Sequence, residues 1–286
     1  VDRYIGGPEH AVLHLLYSRF FTKFLYDQGH IGFEEPFTKL VNQGMILGTD
    51  GNKMSKSKGN VIDPDDYVTK YGSDAVRVYL MFMGPYSEGG PWDPKRFEGA
   101  YRFISRAWEL VTTGYSQKTD DTIKASELES RIHKTIKKVG EDAHSIRFNT
   151  AISALMELVN FMIPLKTEGS INKDEWNTAV ATLVLLVAPF MPFVAEEMWE
   201  SLGNTQSVHS QAWPKYDPNL VKDDVITIIV QINGKLKDQF IISTEESHYK
   251  DVLERTAKET LGDKLDHSAI LKTVVVPAKL VNFVTK

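Results

Sequence analysis

The sequence predicts a multidomain α/β plus α protein: part of a doubly wound parallel sheet, then an α-helical bundle, then a small α+β domain. Three features point there. A strand, glycine turn, helix and strand succeed one another within the first 47 residues. Apolar residues at helical spacing then dominate the stretch from 95 to 202. Near the end, two β-rich runs flank Asn233-Gly234, the strongest two-residue hairpin signal. The expected domains are 1–90, 91–215 and 224–286.

Residues 1–7 read as a short strand closed by glycines, with Pro8 where the first turn of a helix tolerates it. Val12, Leu15, Leu16, Phe20, Phe24 and Leu25 recur at helical spacing, and Gly29 serves as the C-cap. The run 39–47, with Leu40, Val41, Met45, Ile46 and Leu47 around Gly44, predicts one strand. Ligands of such a sheet sit beyond the carboxyl ends of its strands. Residues 49–60, with glycines at 51 and 59 and alternating lysine and serine, predict a mobile loop. Asp63-Pro64-Asp65-Asp66 opens another helix.

After a turn-rich stretch at 84–94, helices are predicted over 95–113, 126–144, 149–162, 173–188 and 192–202. Residues 213–224, with two prolines and three aspartates, have a linker's composition. Beyond them, strands at 225–232 and 235–242, a helix near 245–261 and strands at 270–276 and 280–284 make up the terminal α+β domain. There is no internal repeat and no low-complexity segment.

With 42% hydrophobic and 25% charged residues, the chain is too apolar to be disordered. No run approaches the roughly 18 uncharged apolar residues of a membrane span. The closest, 179–190, is too short, so a soluble chain with no membrane partner is expected. The absence of cysteine removes disulfides, thiolate nucleophiles and cysteine-based zinc sites, and fits a cytoplasmic location. The first residues lack an initiator methionine and a basic lead into an apolar stretch, so they read as a cut inside a domain rather than a signal peptide. A net charge of −5 argues against a uniformly basic nucleic-acid binder but leaves room for a local basic patch.

The sharpest motif is Lys53-Met54-Ser55-Lys56-Ser57, set between Asp50-Gly51-Asn52 and Lys58-Gly59-Asn60. Two lysines three apart on a glycine-hinged loop can close over a polyphosphate and neutralise charge as its α-phosphate is attacked. A bare lysine pair would read as a solvated loop. The complete pentapeptide, after a strand and before an Asp-Pro helix start, resembles the signature loop of class I aminoacyl-tRNA synthetases. That resemblance implies an ATP- and pyrophosphate-binding loop, with Lys53 and Lys56 catalytic and Met54, Ser55, Lys56 and Ser57 at the nucleotide.

The second constellation is Gly6-Gly7-Pro8-Glu9-His10 with His14 one helical turn on. On its residues alone it leaves open a zinc pair without a third ligand, packing histidines, or a binding pocket. The stretch from Asp2 to Tyr17 is similar to leucyl-tRNA synthetases, whose isoleucyl and valyl relatives usually carry a different pattern here. The likeness implies that Gly6 and Glu9 face the ATP ribose and that His10 and His14 line the leucine side-chain pocket.

Tyr71-Gly72-Ser73-Asp74-Ala75-Val76-Arg77 resembles the segment that follows the signature loop in this subclass, which implies a structural role linking the catalytic loop to the helical domain, with Arg77 paired with a nearby carboxylate. Arg131, His133, Lys134, Lys137 and Lys138 crowd one helix, with His144 and Arg147 just after. They form either a solvated face or, through Lys134, Lys137 and Lys138 on one side, a tRNA phosphate contact. Trp199 and Trp213 read as packing residues. Lys235 and Lys237 alternate on one side of the hairpin, and Lys235 is a candidate tRNA contact. The string 276–282 is similar to the closing segment of bacterial-type leucyl-tRNA synthetases, which implies a tRNA contact for Lys279.

The resemblance extends over the whole chain and implies the second half of a Rossmann-like catalytic domain, an anticodon-binding-type bundle and a small terminal domain. The other class I signature, a His-Ile-Gly-His-type tetrapeptide, is absent, as are an editing domain and any long insertion before the signature loop. The implied activity is part of an ATP-dependent ligation of leucine to the 3′-terminal adenosine of tRNA(Leu) through leucyl-adenylate. Magnesium would accompany ATP, no protein-bound zinc is expected, and the partners are leucine, ATP, tRNA(Leu) and the missing amino-terminal half. This stretch alone is expected to be inactive. The rival readings are an isoleucyl, valyl or methionyl enzyme, against which the absence of cysteine and the Glu9-His10 pattern weigh, and a non-catalytic tRNA-binding protein, against which the intact loop weighs.

Overall fold

Strands β1 (Tyr4–Gly6) and β2 (Leu40–Asn42) pair in parallel, Tyr4 opposite Leu40 and Gly6 opposite Asn42, with helix α1 (His14–Asp27) between them in sequence. The predicted strand–helix–strand unit is therefore present. The computed structural model describes residues 1–221, 225–244, 246–265 and 270–285. These fall into two compact units, 1–220 and 221–286.

Three details of the first unit depart from expectation. The predicted helix from Pro8 begins as a 3-10 turn (Pro8–Val12), breaks at Leu13 and restarts at His14. The predicted single strand 39–47 divides into β2 and β3 (Met45–Leu47), because Gly44 lies against the backbone of Glu88 and Gly89, where any Cβ would overlap. The partner of β3 is β4 (Gly89–Pro91), parallel to it, inside the stretch predicted as turn. Its Gly89 and Gly90 have φ of +66° and +157°, open only to glycine, so the strand carries no side-chain periodicity for a sequence pattern to register.

Helix α2 (Pro64–Tyr71) starts as expected at Asp63, whose carboxylate accepts the Asp65 N–H at 3.0 Å. One residue later, past Gly72 at φ +85°, comes the unpredicted α3 (Ser73–Phe82), which buries Asp74, Ala75, Val76, Val78 and Tyr79.

The bundle consists of α4 (Pro94–Thr112), α5 (Thr122–His144), α6 (Phe148–Glu168), α7 (Lys173–Val187) and α8 (Pro192–Ser201). Asp93, Asp121 and Asn172 cap α4, α5 and α7 by accepting first-turn N–H groups. Helix α6 runs past its expected end at 162, carries Pro164 on its exposed side, and stops at Gly169 with φ +66°. Its composition corrects a further expectation, since its 21 residues are long and apolar enough to cross a membrane. Seven of them, from Ala151 to Leu165, are instead buried in the core shared with α3, α4, α5 and α7. Each of these side chains larger than alanine contributes roughly 1.5–3 kcal/mol by leaving water.

Residues 213–220, read as linker, lie along α5. The Asp217 N–H donates to His133 Nδ1 at 2.9 Å, and Ser130 Oγ donates to the Leu220 carbonyl at 3.0 Å. Gly140, inside α5, leaves room for the Trp213 indole, whose Nε1 would stand 3.2 Å from a Cβ there.

In the second unit a four-stranded sheet has the order β6 (Lys235–Ser243), β5 (Val225–Ile232), β8 (Leu280–Thr285), β7 (Ile270–Val276), with only the β5–β8 pair parallel. Helix α9 (Lys250–Leu261) covers it through Leu253, Ala257 and Leu261, which join Ile228, Val230, Val281 and Phe283 in a second core. Asn233 and Gly234 make the predicted turn with φ of +51° and +77°, both positive as a type I′ turn requires. The expected helix start at Glu245 and the expected domain start at Asp224 lie outside the described residues. A short 3-10 turn (Glu246–His248) precedes α9.

Candidate functional site

The signature loop leaves β3 at Gly48 and returns at Asn60, and its base is a hydrogen-bonded knot. Asp50 Oδ1 accepts the Asn52 N–H at 3.0 Å, and both Asp50 carboxylate oxygens accept from the Asn60 amide at 3.2 Å. The same amide donates to the Lys53 carbonyl at 3.3 Å, while Asn60 Oδ1 accepts the Ser55 N–H at 2.8 Å. These bonds from Asn52 and Asn60 hold the Asp50 carboxyl below its ordinary range. Gly48 is buried directly beneath them, since a Cβ there would lie 2.8 Å from Asp50 Oδ1 and 3.0 Å from the Asn60 carbonyl. Met54 packs against the main core.

Above this base, Ser55 and Ser57 share a hydroxyl hydrogen bond of 2.7 Å, and Lys56–Lys58 form one 3-10 turn ended by Gly59 at φ +66°. Lys53 and Lys56 are exposed. Among the described residues, nothing forms an ion pair or hydrogen bond with their ammonium groups. The loop thus presents two uncommitted cations on a fixed footing, as an incoming polyphosphate requires.

The histidines meet on β1 rather than along one helix face. Tyr4 and Gly6 point to the same side of the strand, and a Cβ on Gly6 would lie 3.1 Å from the Tyr4 ring and 3.6 Å from His10 Cδ2. His14 stacks on Tyr4 with ring centroids 5.4 Å apart, and Phe37 joins at 4.8 Å from Tyr4. Gly6 is therefore flanked by Tyr4 and His10. Glu9 faces elsewhere, folded over Gly7 and lining a cleft of about 610 Å³ with Met45, Ile46 and the 83–89 segment. Among the described residues no group of three or more His, Cys, Asp or Glu side chains is placed to hold a metal ion.

The proposed RNA-facing lysines of α5 are each engaged within the chain. Lys138 pairs with the fully buried Asp142, which also accepts from Arg147 at 2.8 Å and Thr150 at 2.6 Å. Lys137 lies over the Tyr216 ring at 5.9 Å, Arg131 over Phe161 at 4.6 Å, and Lys134 is not free either. In the second unit Lys235, Lys237 and Lys279 are exposed, and a register shift opposite Val230 and Gln231 leaves Lys237 without a cross-strand partner, interrupting its alternation with Lys235. Arg77 donates at 3.1 Å to the Pro189 carbonyl, a backbone oxygen in place of the expected carboxylate. Trp199 packs on the bundle core and donates to the Gln206 carbonyl at 3.0 Å, whereas Trp213 remains 40% exposed.

Sequence reasoning passed over Asp50, Asn60, Gly48, Tyr4 and Phe37. Asp and Asn beside glycines are the residues that close loops through side-chain hydrogen bonds, and the two-residue period of a strand sets Tyr4 on the side of Gly6. Phe37 left no local signal, since only the tertiary fold brings it to Tyr4.

The family of class I tRNA synthetases (I, L, M and V) matches residues 18–92, and the anticodon-binding domain of tRNA ligase matches residues 125–254. The leucine–tRNA ligase of Herpetosiphon aurantiacus is 48% identical over 286 residues, covering 100% of this chain and 35% of the relative. That of Rubrobacter xylanophilus is 46% identical over 286 residues, covering 99% and 34%. A crystal structure of an Agrobacterium radiobacter K84 LeuRS, solved as a ternary complex with tRNA and LeuAMS, superposes with a TM-score of 0.78 at 34% identity, covering 100% of this chain and 37% of that one. The chain spans about a third of the length of the curated relatives it matches. Along its whole length the chain is similar to leucine–tRNA ligases, and its 18–92 stretch matches the class I synthetase family model.

Proposed function

We propose that the protein carrying this segment is a leucine–tRNA ligase and that the segment supplies the signature loop of its ATP site. A leucine carboxylate oxygen attacks the α-phosphorus of ATP, the bond to the β-phosphate oxygen breaks, and pyrophosphate leaves with the electron pair. The 3′-terminal adenosine of tRNA(Leu) then displaces AMP from leucyl-adenylate. Magnesium enters with ATP as part of the substrate. Lys53 and Lys56 stabilise the charge developing on the departing pyrophosphate, with Met54, Ser55 and Ser57 shaping the loop around it. Gly6 and Glu9 serve the nucleotide, and His10 and His14, beside Tyr4, serve the leucine side chain. Lys134, Lys137, Lys138, Lys235 and Lys279 are the proposed tRNA contacts, and the setting is the cytoplasm.

The observation that carries this reading is the pair of uncommitted lysine ammoniums raised on the Asp50–Asn60 knot. Whole-chain similarity to leucine–tRNA ligases supports leucine as the amino acid. An apolar pocket separates near-isosteric side chains by only about 10–200-fold, so the test compares them directly. Full-length protein is expected to exchange pyrophosphate into ATP with leucine far more efficiently than with isoleucine, valine or methionine. A preference for any of those three, or no exchange with any amino acid, would overturn the assignment.

A further inference from the structure

Helix α3 meets the bundle through an arrangement that ordinary packing does not require. Asp74 is 4% exposed, and its Oδ2 accepts the Val194 N–H at 2.7 Å, 120 residues away in sequence. Its Oδ1 makes no hydrogen bond. Helix α8, which begins at Pro192, has no side-chain cap of its own, so Asp74 supplies that cap from another element. One turn along α3, Arg77 donates at 3.1 Å to the Pro189 carbonyl, just beyond the end of α7, 112 residues away. An anion thus meets the amino end of one helix and a cation the carboxyl end of the one before it, each matching the helix dipole it faces.

The two residues belong to the stretch matched by the class I synthetase family, and the corner they hold belongs to the stretch matched by the anticodon-binding domain. On the synthetase side, α3 follows the signature loop through α2, and Met54 of the loop shares one core with Ala75, Val78 and Tyr79 of α3 and with Leu186, Phe190 and Met191 of the corner. A buried carboxylate that leaves one oxygen unpaired costs stability, which its bond to the Val194 N–H at the otherwise uncapped start of α8 offsets.

We infer that Asp74 and Arg77 act as positioning residues, a clasp that fixes the α7–α8 corner to the signature-loop side of the molecule. The clasp aligns RNA held by the bundle with the nucleotide chemistry at the loop. This rests on the proposed ligase reading, and neither residue touches substrate.

The test uses the full-length protein with Arg77→Ala, Arg77→Lys, Asp74→Asn and the Asp74→Asn/Arg77→Ala double variant. Pyrophosphate exchange without tRNA and the KM for tRNA are expected to stay within about twofold of wild type. The kcat for tRNA charging is expected to fall about tenfold or more in the alanine variant, since misplacement of bound reactants lowers turnover steeply. Lysine, which keeps the cation at the Pro189 carbonyl, should restore most of it, and the double variant should be no worse than the more impaired single one. Charging unchanged in Arg77→Ala, or exchange and charging falling together in proportion to folded protein, would overturn the clasp. Should Asp74→Asn fail to fold, the contrast between Arg77→Ala and Arg77→Lys still decides, because Arg77 lies on the surface. Failure of the ligase reading shows separately, as wild-type protein without leucine-dependent exchange, and would remove the inference with it.

Discussion

Gly48 has no room for a side chain because Asp50 and Asn60 close over it, and that constraint ties loop geometry to loop chemistry. If Lys56 acts on charge present mainly in the transition state, Lys56→Ala should lower the single-turnover rate of adenylate formation about 100-fold or more with leucine affinity little changed. Gly48→Ala keeps both lysines but forces the knot apart, so it should reproduce much of that loss without unfolding the protein. Rapid-quench kinetics and a melting curve on the full-length variants check both outcomes. A Gly48→Ala enzyme with wild-type turnover would mean that the knot does not position the lysines. At this scale the lysines stood out because the complete pentapeptide resembles the class I signature loop, whereas their spacing alone would read as a solvated loop. The knot was legible only as flanking Asp, Asn and Gly, since which side chain accepts from which N–H depends on how the loop returns. The histidines show the limit of local pattern: the four-residue spacing placed His10 and His14 on one helix face, but with the chain broken at Leu13 His10 lies beside Gly6 and His14 stacks on Tyr4.

Among elements, α5 offers the clearest separation between structural and RNA-binding cations. Lys138 is one of the partners of the buried Asp142 carboxylate; burial opposes that ionisation, and donations from Lys138, Thr150 and Arg147 outweigh it and hold the group below its ordinary range. Lys138→Ala should therefore destabilise the bundle by about 1 kcal/mol, whatever it does to RNA. Among the described residues, Lys137 has only the Tyr216 ring to lose. If it contacts a phosphate, Lys137→Ala should reduce the slope of log tRNA affinity against log salt by roughly 0.9 with unchanged thermal stability. Affinity measured across a salt series decides, and parallel lines for wild type and variant would leave Lys137 as a solvated face. The helices themselves were largely readable from their long apolar period, although α5 starts at Thr122 behind its Asp121 cap and not at the expected 126. Helix α3 and strand β4 were not, for opposite reasons. The first is buried on too many sides to show a polar face, and the second is built on glycines with no side chain to alternate.

At the scale of the molecule, the apolar helix α1 is almost wholly exposed. Val12, Leu16, Tyr17, Phe20, Phe21 and Phe24 are 52–72% exposed on and before α1, and of the α1 residues only Thr22 is buried. An apolar surface of this kind marks a face that another part of a protein covers, or an aggregation hazard when nothing does. The relatives are about three times as long as this chain, so the rest of the full-length polypeptide is the expected cover. The isolated 286-residue chain is then expected to bind an apolar dye such as anilinonaphthalene sulfonate, to self-associate with rising concentration, and to exchange the amide hydrogens of α1 quickly relative to those of α6. It should also show no leucine-dependent pyrophosphate exchange, because the loop meets only part of the site. In the full-length protein, the same α1 amides should become protected and dye binding should fall. Hydrogen exchange followed by mass spectrometry reads both forms with the same peptides. Equal α1 exchange in the two would show that this face stays open in the whole enzyme, and exchange activity in the isolated chain would show that the nucleotide site is complete without the rest.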